Sequence, residues 1–306
     1  MKKDFLAIAD FSTDEIQYLL DRAISIKQAL NAGGNEPVLK GKTLAMIFQK
    51  PSLRTRVSFE MGMYQLGGNA MYLSPAEIGL GKRESIADVA RVLSGYVDGI
   101  MARVFEHNHI LELAKWSSIP VINGLSDYNH PCQGMADALT ILEEFGSLKD
   151  RKVVFVGDGN NVAISLMDVC AKLGAHFVFT GPEGFDLSAV EMQRAAKVCA
   201  QTGGSVSSER NPHVAVKDAD VIYTDTWTSM GQEEEAKTRE EVFPPYQVNE
   251  KLVSEAASHA IVMHCLPAHR GQEITDAVAD GTHSRLFPQA HNRLHAQKAI
   301  LEYVFK

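Results

Sequence analysis

The sequence predicts a two-domain α/β protein in which each domain is a parallel sheet flanked by helices. Three observations point there. Short apolar runs alternate with segments of helical period along nearly the whole chain. The alternation pauses near Gly146 and restarts at Val153-Val154-Phe155-Val156. The length of 306 residues suits roughly two domains of ~150 residues. The first domain is expected over 1–135 and the second over 136–289, with a helix over 290–306 returning to the first. Ligands of open α/β sheets collect at strand carboxyl ends, so the active site is expected between the two similar-sized domains.

The elements follow in order. Ser12-Thr13-Asp14-Glu15 reads as a capping box, and Ile16, Leu19, Leu20, Ala23 and Ile24 follow at helical spacing. Gly33-Gly34 and Pro37 break that helix before a strand over 44–48. A second helix carries Val57, Met61 and Tyr64 on one side and stops at Gly67-Gly68. Met71-Tyr72-Leu73 is a short strand, 74–83 a glycine-containing loop, and Ile86, Val89, Leu93 and Val97 mark a further helix. A strand over 99–103, a helix over 110–116 and a strand over 120–123 complete the first alternation. After a loop over 126–133, a helix through Ala138, Leu139, Leu142 and Phe145 carries the domain change. Strands are then expected over 153–156, 177–180, 221–223 and 261–263. Ala296, Ile300 and Val304 share one face of a last helix. The charge run Glu233-Glu234-Glu235 with Lys237, Arg239, Glu240 and Glu241 reads as a solvated face.

Composition limits the partners. Lys+Arg 30 against Asp+Glu 38 gives a formal charge of -8, so an anion-binding surface has to be a local patch, and no nucleic-acid partner is expected. No apolar run approaches ~18 residues, and Met1-Lys2-Lys3-Asp4 does not open a secretory signal, which implies a cytoplasmic protein without a membrane partner. Cys132, Cys170, Cys199 and Cys265 contain no CxxC pair, which argues for free thiols and against a structural zinc site.

Chemistry-bearing residues sit where apolar runs end. Ser52, Leu53, Arg54, Thr55 and Arg56 lie between a strand and a helix, where unpaired backbone N–H groups, the helix dipole and guanidinium forks would cradle a phosphate. The same residues would also serve as a helix cap followed by solvated arginines. Arg103 closes a strand and would reach the same rim, or be a surface arginine. His130-Pro131-Cys132-Gln133 puts an imidazole and an amide on a stiffened loop at a helix start, although an isolated histidine is often structural. Gly157-Asp158-Gly159-Asn160-Asn161 opens like a dinucleotide fingerprint, but Val162 replaces its third glycine, which weighs against a nicotinamide-dependent oxidoreductase. Asp225 follows a strand and precedes Ser229-Met230-Gly231; a carboxylate there suits an ammonium group or a turn. His264-Cys265-Leu266-Pro267 follows another strand, where a cysteine is either a small hydrophobe or a reactive group.

Taken together, Ser-x-Arg-Thr-Arg at 52–56, His-Pro-Cys-Gln at 130–133, Asp225 with Ser229-Met230-Gly231, His-Cys-Leu-Pro at 264–267, Gly-Asp-Gly-Asn-Asn at 157–161 and His291-Asn292-Arg293 resemble the signature set of the ornithine carbamoyltransferases. The resemblance covers nearly the whole chain. It implies transfer of a carbamoyl group from carbamoyl phosphate to the δ-amine of ornithine in arginine metabolism, with no metal or organic cofactor, by a homotrimer. It also implies that Ser52, Leu53, Arg54, Thr55, Arg103, His130, Pro131, Cys132, Gln133, Cys265, Leu266 and Arg293 meet carbamoyl phosphate. Asn161, Asp225, Ser229 and Met230 would meet ornithine, and Cys265, Arg103 and His130 would be catalytic. Another amine, such as putrescine or N-acetylornithine, and a catalytically silent paralogue are the alternatives. Gly79 stands where the family commonly carries a glutamine thought to reach a neighbouring subunit's phosphate, so Gly79→Gln is expected to lower the Michaelis constant for carbamoyl phosphate.

Overall fold

The computed structural model describes residues 2–228 and 233–306, which fall into two units: Met1–Leu139 with His291–Lys306, and Thr140–Ala290. The first unit holds a four-stranded parallel sheet in the order β2-β1-β3-β4, built from β1 (Thr43–Phe48), β2 (Asn69–Leu73), β3 (Gly99–Arg103) and β4 (Val121–Leu125). Its helices are α1 (Thr13–Asn31), α2 (Leu53–Gln65), α3 (Pro75–Ile78), α4 (Ile86–Ser94) and α5 (His107–Trp116), and α6 (Pro131–Phe145) leads into the second unit. Ser12 and Glu15 form the capping box of α1. On one face of the sheet, Ile47, Ile100 and Ala102 pack with Val89 and Ala90 of α4 and Ile110 and Leu113 of α5.

The structure gives the direction of one helix face and corrects one loop. Val57, Met61 and Tyr64 do share one side of α2, but that side is exposed, and the helix buries Thr55, Ser58, Phe59, Gly62 and Met63 instead. The loop over 74–83 contains α3, capped by Ser74 and Glu77.

The second unit is a five-stranded parallel sheet in the order β7-β6-β5-β8-β9, comprising β5 (Lys152–Val156), β6 (His176–Thr180), β7 (Ser205–Ser208), β8 (Val221–Thr224) and β9 (Ile261–His264). The edge strand β7 escaped the sequence reading because Ser205, Ser207 and Ser208 give it no apolar run. Helices α7 (Asn161–Lys172), α8 (Ala189–Thr202), α9 (Pro212–Ala215), α10 (Ala236–Val242), α11 (Glu250–Ser254) and α12 (Asp276–Ala279) complete it. Both faces of the central strands are covered, which is why β5 and β8 read as continuous apolar runs. Val154, Val156, Ile222 and Val262 pack with Val216, Leu252 and Ile274, while Phe155 stacks between its register partners Phe179 and Tyr223, at ring distances of 6.4 and 5.4 Å.

The last helix, α13 (Leu286–Phe305), enters the first unit at His291. There Arg22 pairs with Glu302 at 2.8 Å, Lys27 donates to Asn292 at 2.8 Å, and Tyr303 donates to Glu15 at 2.8 Å, which fastens α13 to α1. It also meets α2, where a Cβ added at Gly62 would lie 3.2 Å from Leu301.

Replacing Phe155 with alanine empties the middle of the aromatic row and is expected to cost about 3–5 kcal/mol. Urea unfolding followed by fluorescence of Trp227, in the same unit, measures it. A loss below ~1 kcal/mol would mean that the row is dispensable.

Candidate active site

The strand order places each group of candidate residues. In the first sheet β1 and β3 are neighbours whose connections leave in opposite directions, so the loops at their carboxyl ends flank a topological switch point, where open α/β sheets bind ligands. Residues 49–52 follow β1, and Arg103 ends β3 in register with Phe48. Gln49 N–H donates to the Arg103 carbonyl at 2.8 Å, while its side chain accepts from Phe105 N–H at 3.0 Å, which ties the two loops together. The second sheet repeats the plan: Gly157 to Asn160 follow β5 and Asp225 follows the adjacent β8.

In the first unit Ser52 is the cap of α2, its side chain accepting from Thr55 N–H at 3.2 Å. The first turn therefore presents Leu53 and Arg54 N–H groups and the positive end of the dipole. Leu53 itself is 75% exposed, so only its backbone is suited to an anion. Thr55 is buried, and its hydroxyl oxygen lies 3.1 Å from Ser52 Oγ and 3.4 Å from Arg293 Nη2. Arg293, buried on α13, donates through Nη1 to Gln133 Oε1 at 2.8 Å, and Gln133 Nε2 donates to Asp137 at 2.7 Å. Thus α2, α6 and α13 converge on residues from three separate motifs.

His130 precedes α6 on a loop pinned by buried amides. Asn123 of β4 donates to the Leu6 carbonyl at 3.0 Å and to Asn129 at 2.5 Å, and Asn129 N–H donates to Ser126 at 3.3 Å. Pro131, Cys132 and Gln133 are the first turn of α6 rather than loop. Burial holds the His130 imidazole well below its usual value, reinforced by the positive charges of Arg293, Arg103 and Arg54. It is therefore neutral at physiological pH and can donate one N–H without adding charge. The Cys132 thiol is turned toward the Asn123 carbonyl at 3.4 Å and burial pushes it up to about 12, so its side chain is structural.

In the second unit Asp225 is nearly enclosed. It accepts from Asn160 Nδ2 at 2.8 Å, from Thr226 N–H at 2.8 Å and from the Cys265 thiol at 2.9 Å. Asn160 also caps α7, accepting from Val162 and Ala163 N–H. The fingerprint-like stretch thus serves to hold the Asp225 carboxylate, while Asn161 is the first residue of the helix beyond it. Ser229 and Met230 lie outside the described residues.

Sequence reasoning missed the support beneath Cys265. His264 is fully buried; its Nδ1 accepts from Leu266 N–H at 2.8 Å, which leaves Nε2–H to donate to Glu273 at 3.0 Å. His264 N–H donates to Gln289 at 2.9 Å, and Gln289 donates to Tyr223 at 3.0 Å. Leu266 has φ 58°, and the Leu266-Pro267 peptide is cis. Asp225, His264 and Cys265 each offer a possible metal ligand within 4.8 Å, but both imidazole nitrogens are engaged in these hydrogen bonds.

Arg239 corrects the reading of its charge run as a solvated face. Glu234 and Glu235 are exposed, but Arg239 is buried, donates to Asp158 at 2.8 Å and to the Trp227 carbonyl at 2.6 Å, and lies 4.7 Å from the Phe185 ring. Gly79 carries a backbone constraint that the sequence did not show. It ends α3 at φ 55°, and a Cβ there would come within 2.9 Å of Arg83 Cβ, so a glutamine brings strain along with any new contact.

Residues 3–143 match the description "Aspartate/ornithine carbamoyltransferase, carbamoyl-P binding domain", and residues 149–304 match "Aspartate/ornithine carbamoyltransferase, Asp/Orn binding domain". The ornithine carbamoyltransferase of Thermococcus kodakarensis is 54% identical over 302 residues, 99% of this chain and 96% of that protein. Among solved structures, the Pyrococcus furiosus ornithine carbamoyltransferase superposes with a TM-score of 0.96 at 53% identity, covering 98% of this chain and 96% of the other. A solved N-acetyl-L-ornithine transcarbamylase is similar at a greater distance, with a TM-score of 0.89, 33% identity and 99% of each chain covered.

The His130 shift has a defined sign. Its folded value lies below the ~6.5 of an unfolded histidine, so the unfolded chain binds the proton more readily. The stability it contributes is complete above pH ~6.5 and is lost as pH falls toward the folded value. Carbon-13 NMR of labelled histidines should show one imidazole, absent in His130→Gln, that stays neutral between pH 8 and about 6; a midpoint near ~6.5 would refute the enclosure.

Proposed function

This chain belongs to the aspartate/ornithine carbamoyltransferase family, and from that premise we propose how its two half-sites divide the reaction. The enzyme transfers the carbamoyl group of carbamoyl phosphate to the δ-amine of L-ornithine, giving L-citrulline and phosphate. In our reading the first unit takes the anionic donor. The start of α2, with Ser52, Thr55, Arg54 and the Leu53 backbone, holds the phosphate, and Arg103, His130, Gln133 and Arg293 face the carbamoyl end. The observation that carries this is the set of positive charges gathered at His130: burial first, and then the charges of Arg293, Arg103 and Arg54, hold its imidazole down, and three cations beside one helix start suit a dianion.

Attack of the amine builds negative charge on the carbamoyl oxygen. Arg103 and the neutral His130 act as preorganised donors to it, and the phosphate leaves against Arg54 and the helix dipole. In the second unit Asp225 and Cys265, with Leu266 beside them, hold the amino acid, with Asn161, Ser229 and Met230 as further contacts. A side-chain amine has a free pKa of ~10.4, so it must shed a proton before attack. Because the Cys265 thiol directs its hydrogen to Asp225, its sulfur can accept an N–H from the amine and pass the proton to that pair.

We also propose that the chain assembles as a homotrimer. The apolar row Val57, Met61 and Tyr64 on α2, with Tyr64 74% exposed, and Met71 on the edge strand β2 give a surface suited to a second copy. The four free cysteines suit a reducing, cytoplasmic compartment.

A ureido-product assay with carbamoyl phosphate and, separately, ornithine, putrescine, N-acetylornithine and aspartate tests the substrate; ornithine should lead, and equal rates would defeat the Asp225 assignment. Cys265→Ser should lower kcat by ~100-fold or more, whereas full turnover would remove it as proton acceptor. Met61→Glu should shift sedimentation from trimer toward monomer; an unchanged trimer would place the interface elsewhere.

A further inference from the structure

The loops that follow β8 and β9 carry the carboxylate and the thiol of the second half-site. One side-chain tie between them is the bond from Cys265 to Asp225 Oδ1 at 2.9 Å. A second lies at the surface, where Thr226 Oγ1 is 2.9 Å from Nδ1 of His269, an exposed residue. Thr226 also donates its backbone N–H at 2.8 Å to Asp225 Oδ1, the oxygen that receives the thiol. One residue therefore touches both the Asp225–Cys265 pair and the histidine.

His269 is held from behind. Its backbone N–H donates at 2.6 Å to Glu273 Oε1, which also accepts from Nε2 of the buried His264 at 3.0 Å. Arg270, the next residue, donates to Asp276 at 2.9 Å. Bonds run from His264 through Glu273, His269 and Thr226 to Asp225, and Cys265 follows His264 in the chain, so they close a ring around the thiol.

The Thr226 hydroxyl gives the exposed bond its direction. It has one hydrogen, and it donates to the Thr228 carbonyl at 3.1 Å. Were Nδ1 bare, that single hydrogen would have to serve both the ring and the carbonyl. With a hydrogen on Nδ1 both bonds form at once, the ring donating to Thr226 Oγ1 and the hydroxyl donating onward to Thr228. Thr228 precedes Ser229, so the relay ends where the segment assigned to the amino acid begins. A contact at an exposed position adds little to folding. Its geometry, by contrast, fixes the residue beside Asp225.

We propose that His269 is a positioning residue for ornithine: through Nδ1–H it orients Thr226 and Thr228, and so holds the Asp225 carboxylate toward Cys265 and fixes the residue before Ser229. The proposal rests on the reading of this half-site as the seat of ornithine.

The test compares His269→Ala, His269→Asn and Thr226→Val with the unaltered enzyme, using KM for each substrate, calorimetric binding of inorganic phosphate, and melting temperature. Asparagine places a side-chain N–H as far from its backbone as Nδ1 is, whereas alanine removes it. His269→Ala should keep its melting temperature and raise KM for ornithine roughly tenfold, with phosphate affinity unchanged. His269→Asn should restore most of the loss. Thr226→Val should copy His269→Ala, and the double variant should be no worse than either, because both remove the same bond. Nitrogen-15 spectra of labelled histidine should show a hydrogen on His269 Nδ1.

A folded His269→Ala enzyme with an unaltered ornithine KM would overturn the proposal, as would a His269 ring with its hydrogen on Nε2 alone. Should His269→Ala not fold, an unaltered ornithine KM in Thr226→Val would overturn it, and a raised one with unchanged phosphate affinity would support it. An unaltered enzyme that forms no citrulline would refute the reading of the half-site and the proposal with it; citrulline formation that the variants leave untouched would overturn the proposal alone.

Discussion

A guanidinium removed from water and answered by amides and a hydroxyl is the constraint around which the first unit is arranged. Burying an ion is costly unless it is paired and hydrogen-bonded, so the surroundings must supply partners from fixed directions. Arg293 obtains them from Gln133 on α6, Thr55 on α2 and Gln297 on its own helix. That requirement explains why the end of the chain returns to this unit. It also explains why α13 is fastened so heavily to α1, through Arg22 with Glu302 and Lys27 with Asn292. Burial, reinforced by the charges of Arg293, Arg103 and Arg54, keeps the His130 imidazole neutral. In a chain with a net charge of -8, this concentration of positive charge is local.

The second unit solves the opposite problem. Asp225 is a buried carboxylate, and three donors from three different strand ends enclose it: Asn160 after β5, Thr226 after β8 and Cys265 after β9. Strand order makes this possible, because β5, β8 and β9 are adjacent in the sheet although distant in sequence. Beneath Cys265, the His264–Glu273 pair and Gln289 hold the loop from below, so the thiol direction is set by residues that cannot themselves reach a ligand.

Much of this was legible in the sequence because each signal is local. Apolar runs locate the strands, the Ser12–Glu15 box starts α1, and each chemistry-bearing motif follows a strand. What escaped is what depends on partners remote in sequence. The outward face of α2 could not be read from Val57, Met61 and Tyr64, because periodicity gives a stripe but not the side on which the sheet lies. The strand β7 is polar because it is an exposed edge, and Arg239 looked solvated because its acid, Asp158, is 81 positions away. Asn160 passed for part of a nucleotide loop until its bond to Asp225 gave it another purpose. Gln297 carried no signal at all: its meaning is a hydrogen bond to Ser58, 239 positions earlier.

These cases suggest that the charge of the partner says more about a buried cation than its burial does. Coulomb attraction to an adjacent carboxylate uses up most of the field a guanidinium can exert on a third charge, and the pair then behaves at a distance as a dipole. Arg239 is in that state, and its value lies in bracing Trp227, Asp158 and the aromatic rings around it. Neutral acceptors fix orientation equally well but leave the monopole intact, at the expense of stability that a carboxylate would have supplied. At Arg293 the acceptors Gln133, Thr55 and Gln297 come from α6, α2 and α13, so the direction of its fork is shared among three helices.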